Sequence, residues 1–408
     1  MVGRILRQPY ARKTKVKELD ESYAFVYQQR GETLLKEIRA GFEKEGLGDL
    51  ANKIAGDEGF ADLSQVEKKS YGIRDKFQVA ARNTILPVFT ILKNEQWQKV
   101  NYDADISSNI DWTQVNLKPI FNLTFTKREK ADTEQVATLS EDTVEVVKLK
   151  AFRKLRSGSL SLDRVFMTRQ FLDIVPNPWE AHKFSKQVLE TLVNKNGKNT
   201  VINNSVFIIE ETRKLLAKEK DRLSELVFRN LLDKEKLRFL VIGDNLSFKL
   251  PVKKEVSASS RPLITRDGLP LQESLFDYVP SEELNTTEKE VAWYLEGHEK
   301  MFFWYRNIER QDYAIQGWRK YKIYPDFIFT TIEKKETGEY DKVFVVETKG
   351  IHLKNEDTSY KQEVFAICNE MAESKNLRDL ADMWKNKEIR FEVVFDEEWE
   401  RRLNSLLQ

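Results

Sequence analysis

Between positions 341 and 350 the chain reads DKVFVVETKG, with four consecutive apolar residues at 343–346. Side chains on a strand alternate between its two faces. An unbroken apolar run therefore has both faces to bury, and it belongs in the middle of a sheet covered on both sides. That requirement points to a layered α/β architecture. Polar residues follow the run. Alternation puts Glu347 and Lys349 on one face and turns Thr348 to the other. Upstream, YPDFIF opens a second apolar run with Asp326. The intervening EKKETGEYD offers Gly338 as a turn. Folding the chain there sets Asp326 opposite Glu347.

Two acids and an ammonium at the end of a buried strand pair admit two readings. One is a hairpin with solvated charged ends. The other is a metal-dependent centre. Paired carboxylates suit Mg²⁺, a hard cation that prefers oxygen ligands and lowers the pKa of a bound water. A neighbouring lysine can orient that water and offset charge in the transition state. An isolated E-x-K is weak evidence in a chain that is 33% charged. The stronger signal is the chain's only Pro-Asp, at 325–326, opening one apolar run while E-x-K-Gly closes another.

The surrounding pattern reads as one α/β domain over about 285–408. The helical stretch NTTEKEVAWYLEGHEK precedes FFWYRN, the two strands, the helix SYKQEVFAICNEMAES, the strand IRFEVVF and a last helix. Asn285-x-x-Glu288 and Thr287-x-x-Glu290 both fit a capping box, and Trp304 and Tyr305 read as core. Residues 57–284 read as a mixed α/β connecting region. TILPVFTIL and LKPIFNLTFT are expected as strands, and WEAHKFSKQVLETLVNK and VFIIEETRKLLAKEKDRLSELVFRNLL as helices. LRFLVIGDNLSFKL is expected as a hairpin around Gly243-Asp244-Asn245, and KKEVSASSRPLITRDGLP as a linker or exposed loop. Residues 1–56 begin with a basic stretch, followed by a strand-like run and an amphipathic helix.

Composition narrows the class further. Lys+Arg and Asp+Glu nearly cancel, 67 against 66, so net charge neither requires nor excludes a nucleic-acid partner. The single cysteine excludes a Cys-rich zinc site, and the three histidines are scattered along the chain, which argues against a His-based one. No apolar run approaches the roughly 18 residues of a membrane span, so no membrane partner is expected. The composition fits a reducing cytosol, and the expected location is cytoplasmic.

YPDFIF…VFVVETKG resembles the PD-(D/E)xK nucleases, and most of all the C-terminal nuclease domain of type III restriction Res subunits. The resemblance extends to LNTTEKEVAWYL and WYRN. It implies a PD-(D/E)xK fold, a mixed sheet flanked by helices, over 285–408. It also implies that Asp326 and Glu347 hold Mg²⁺ with help from the Thr348 carbonyl, that Lys349 positions the attacking water, and that Glu288 on the leading helix completes the metal site. Arg306, Arg310, Arg319, Lys320 and Lys322 form a basic cluster before the site. Arg306, Arg319 and Lys320, with Gln362 on the following helix, are its candidate DNA contacts.

MVGRILRQPYA carries a second resemblance, to the end of motif VI of superfamily-two helicases, on Gly3, Arg4 and Arg7. It implies that residues 1–56 are the end of a second RecA-like lobe and that Arg4 and Arg7 face a nucleotide. No Walker A loop accompanies them: Gly197-Lys198 is followed by Asn199. ATP is therefore expected only together with missing helicase lobes, for which a separate chain is one candidate carrier, so this chain is expected to be the C-terminal part of a helicase–nuclease. The implied partners are double-stranded DNA and a modification (methyltransferase) subunit. The implied activity is Mg²⁺-dependent endonuclease cleavage within a restriction-like system. Two alternatives stay open: a non-catalytic DNA-binding or assembly module, and a standalone repair-type nuclease.

Overall fold

The computed structural model describes residues 68–125, 163–241, 246–332, 339–350, 356–373 and 387–407. Arg4, Arg7 and the Gly338 turn lie outside them. The chain divides into two compact units, one of residues 103–230 and one combining 68–102 with 231–407.

The first elements are β1 (Lys68–Gly72), α1 (Gln78–Asn83), β2 (Ile85–Leu86), β3 (Val88–Lys93) and β4 (Gln96–Lys99). The unit of 103–230 is helical. It holds α2 (Lys118–Phe121), α3 (Arg164–Arg169), α4 (Pro178–Asn196), α5 (Lys198–Asn203) and α6 (Ser205–Asp233), the last running past its edge. Pro178 starts α4 where its missing N–H costs nothing, and the Asn177 side chain accepts from the Trp179 and Glu180 amides. One apolar core joins Trp112, Phe171, Phe184, Val188, Leu192, Ile208 and Leu216. LKPIFNLTFT does not form the expected strand. Its first part is α2, with Pro119 in the first turn, a position that fixes φ for a helix rather than a ladder.

In the other unit come β5 (Leu237–Leu240), β6 (Phe248–Lys249), β7 (Lys253–Ser257), α7 (Thr286–Gly297), β8 (Met301–Arg306), β9 (Phe327–Thr331), β10 (Lys342–Lys349), α8 (Glu356–Glu373), β11 (Glu388–Phe395) and α9 (Trp399–Leu407). The expected hairpin at 237–250 is not one: β5 pairs with β3, and β6 pairs with β2. A Gly-Asp-Asn turn is a local signal, and the pairing that wins is non-local. KKEVSASS is likewise not a free linker. β7 pairs antiparallel with β1 and buries Lys254 and Val256 in strict alternation.

The sheet that matters for function has the order β11-β10-β9-β8. β8, β9 and β10 are successively antiparallel, and β11 lies parallel to β10 after α8. β10 is thus an inner strand, as its apolar run demands. Val343, Phe344, Val345 and Val346 are at most 2% exposed, and each such burial is worth about 1.5–3 kcal/mol. Phe344 and Val346 share a core with Trp304, Phe327, Phe329 and residues of α7 and α9. α8 packs against β11, where Phe365 meets Phe391. Trp304 and Tyr305 are buried, in keeping with their reading as core. No helix among the described residues is long and apolar enough to cross a membrane.

Gly317 marks a close approach to α8. A Cβ placed there would stand 2.5 Å from the Tyr360 hydroxyl and 2.8 Å from Val364 Cγ2. Gly317→Ala is expected to destabilise the chain by about 1–3 kcal/mol, measured by denaturant unfolding. No loss of stability would mean that the contact is slack.

Candidate active site

Asp326 sits one residue before β9, and its backbone is held from both sides. Its N–H donates to Val346 O (2.9 Å), and its carbonyl accepts from the Asn307 N–H (2.9 Å). Since Val346 pairs with Phe327, the next step of the ladder sets Asp326 against Glu347. Asn307 is fully buried. Its amide donates to Tyr313 O and Pro325 O (2.7 Å) and accepts from the Tyr313 N–H. That clamp fixes the Pro325-Asp326 corner.

The Asp326 carboxylate divides its oxygens. Oδ2 accepts from both the Thr348 N–H and the Thr348 Oγ1 hydroxyl, each at 2.7 Å. Oδ1 accepts from Arg306 Nη1 at 3.1 Å. Thr348, expected to contribute its carbonyl, holds Asp326 through its amide and hydroxyl.

Arg306 was expected to contact DNA, but its guanidinium is turned inward at the end of β8. Nη1 also donates to the carbonyls of Asp326 and Asn307, and Nη2 donates to Glu288 Oε1 at 2.9 Å. One planar cation thus links two carboxylates, the geometry for which a guanidinium is suited. Glu288, at the start of α7, is both cap and site neighbour. Its Oε2 accepts from the Asn285 N–H while Asn285 Oδ1 accepts from the Glu288 N–H, a complete capping box. Burial raises the Glu288 pKa, against the pull of Arg306 and with the push of Asp326.

On β10, Glu347 is only 4% exposed. Its Oε1 accepts from Lys361 Nζ at 2.7 Å and lies 3.2 Å from Lys349 Nζ. Its Oε2 is buried with no hydrogen-bond partner among the described residues. Burial, and after it the charge of Asp326, lift the Glu347 pKa to about 7 despite the two lysines. Burial opposes the charge on Lys361, but Glu347 and Asp357 outweigh it, and the Lys361 pKa is raised.

Lys361 was not foreseen in the sequence. Gln362, the residue expected to face the site from α8, is exposed. The signal was a lysine in register with the buried Val364 and Cys368, at i, i+3 and i+7 of a helix face. The other basic candidates lie on a neighbouring loop. Arg319 stacks over Tyr360 at 4.6 Å and lies 4.0 Å from Asp357. Lys320 and Lys322 are partly buried. Arg310 sits beside Glu309 at 3.3 Å.

Compared with protein-family models, curated proteins and solved structures, the chain matches none. Chemistry must carry the reading. Among the described residues, no three His, Cys, Asp or Glu side chains stand close enough together to hold one ion. Arg306 bridges Glu288 and Asp326, whose carboxyl groups also lie beside each other, and the lysines cover one edge of Glu347. The donor chemistry of Asp326 and Glu347 nevertheless suits a hard divalent cation. Both offer carboxylate oxygens, and Glu347 Oε2 is a buried acceptor still to be satisfied.

Proposed function

We propose that Asp326, Glu347 and Lys349 form the hydrolytic centre of a Mg²⁺-dependent DNA endonuclease module of the PD-(D/E)xK kind, within a type III restriction-like helicase–nuclease. The observation that carries the reading is the buried Glu347 carboxylate, with one oxygen unpartnered, set against Asp326 at the end of an inner strand. A group at such a site is costly to leave charged, and strongly shifted acids of this kind mark functional sites. The mixed sheet flanked by helices supports the same reading.

Asp326 and Glu347 are the groups that would hold the ion, which supplies Lewis acidity toward water and a phosphoryl oxygen. Lys361 fixes Glu347 Oε1, leaving Lys349, one-fifth exposed, as the ammonium nearest solvent. Lys349 orients the attacking water and meets negative charge as it develops. Thr348 and Asn307 hold Asp326 in place. The modification subunit and the helicase lobes, with Arg4 and Arg7 at the nucleotide, belong to the same proposal.

A cleavage assay tests it. The chain is expected to nick or cut plasmid DNA with Mg²⁺ or Mn²⁺, whereas Asp326→Ala and Lys349→Ala are expected to leave it intact. Equal cleavage by all three removes the assignment. One observation favours the alternative of a non-catalytic DNA-binding or assembly module: Arg306 already compensates Glu288 and Asp326, as in a structural charge network. Metal-independent DNA binding, without cleavage when the helicase part is restored, decides for that alternative.

A further inference from the structure

Glu347 has one oxygen to offer a ligand, not two. Its Oε1 accepts from Lys361 Nζ at 2.7 Å and lies 3.2 Å from Lys349 Nζ, whereas Oε2 is buried with no hydrogen-bond partner among the described residues. The shorter of the two contacts comes from α8. Lys361 reaches across from that helix, and its side chain is 15% exposed. Its place is well determined. Tyr360 beside it packs edge-on against Trp318. Val364, three residues on along the same helix face, is fully buried. Asp357 Oδ2, one turn earlier, stands 3.7 Å from the same ammonium. Asp326 is treated alike, since its Oδ2 accepts two hydrogen bonds of 2.7 Å from Thr348. Each of the two carboxylates therefore has one oxygen committed to the protein.

The number of oxygens a carboxylate can offer bears on which cation it takes. Ca²⁺ gathers about six to eight oxygens in a flexible shell and often takes two of them from one carboxylate. Mg²⁺ is smaller, demands a near-ideal octahedron and keeps several waters. The two oxygens of a chelating carboxylate stand too close together for the right angles of an octahedron. Single-oxygen ligands suit that octahedron and leave a larger shell short of donors.

We propose that Lys361 is a specificity-determining residue: by holding Glu347 Oε1 it makes this carboxylate a one-oxygen ligand, and the centre thereby selects Mg²⁺ over Ca²⁺. The inference rests on the metal-centre reading above and adds what rejects the wrong cation.

The test is isothermal titration calorimetry of the full chain, without DNA, with MgCl₂ and with CaCl₂ at one pH. Wild type is expected to bind Mg²⁺ more tightly than Ca²⁺. Lys361→Met keeps the stem and removes the ammonium. It is expected to move the ratio of the two affinities about tenfold toward Ca²⁺, the low end of what the partners of metal ligands contribute. The ratio isolates the coordination shell, because both ions are doubly charged. Loss of a positive charge, or a proton gained by Glu347, alters both affinities alike, whereas a second available oxygen favours the ion with the larger shell. Lys361→Arg restores donors to Oε1 and is expected to return the ratio toward wild type, a rescue that a purely structural role does not produce. A wild type that takes Ca²⁺ more tightly overturns the inference without any variant. A Lys361→Met protein that binds Mg²⁺ with the wild-type ratio also overturns it, and leaves the metal-centre reading standing. Wild type binding neither ion, or Asp326→Ala binding both as wild type does, overturns the two together.

Discussion

Glu347→Gln is expected to abolish Mg²⁺-dependent cleavage and, in metal-free buffer, to flatten the dependence of stability on pH. The sign follows from the raised pKa. The folded protein holds the Glu347 proton up to about pH 7, against an ordinary 4.5, so it binds more protons than the unfolded chain in between. The stabilising share of this group is full below 4.5 and is lost as pH rises toward 7 and beyond. The amount is about 3 kcal/mol at most, the equivalent of that shift. Glutamine, neutral throughout, has no such loss. Glu288, also raised by burial, contributes with the same sign in both proteins, so the wild-type minus Gln difference isolates Glu347. Urea unfolding at pH 5, 6, 7 and 8 measures it. Adding Mg²⁺ at pH 8 is expected to restore stability to wild type and not to the variant, because only an ion bound to the folded state shifts the balance. Equal pH slopes in the two proteins would remove the special environment assigned to this carboxylate.

Arg306→Met is expected to destabilise the chain by about 3–5 kcal/mol, the cost of leaving buried charges without their partner. The methionine keeps the stem but abandons Glu288 Oε1, Asp326 Oδ1 and the carbonyls of Asp326 and Asn307. All three charged side chains of this bridge are at most 16% exposed, so water replaces the guanidinium poorly. Arg306→Lys is expected to fall between, since one ammonium cannot reach both acids with a fork. A loss below about 1 kcal/mol for methionine would show that the bridge is solvated and replaceable.

The parts of the site legible in the sequence were those written in local pattern. The run at 343–346 is apolar without alternation, and it is an inner strand. Glu347 and Lys349 are two apart, and they share the side that Lys361 reaches. The Asn285–Glu288 spacing encodes a capping box, and the box is present. What the sequence concealed depends on partners far along the chain. Arg306 reads as one member of a basic cluster, and only its neighbours Glu288 and Asp326 turn it inward. Lys361 and Gln362 differ by about 100° of helix rotation, and only the register of Lys361 with the buried Val364 and Cys368 marks which one faces inward. The turn signal at 243–245 promised a hairpin, yet β5 and β6 find β3 and β2, more than a hundred residues upstream.

The double tether on the Asp326 backbone has a kinetic consequence. With its N–H bonded to Val346 and its carbonyl bonded to Asn307 and Arg306, this residue gives up its main-chain freedom on folding, when about 1–2 kcal/mol of backbone entropy is lost per residue. Nothing of that cost remains to be met when a ligand arrives. The carboxylate can trade Arg306 or Thr348 for another partner by side-chain rotation alone, on the time scale of rotamers rather than of loops. The Asp326 amide should accordingly rank among the slowest in the chain to exchange with deuterium, opening only when β9 and β10 part.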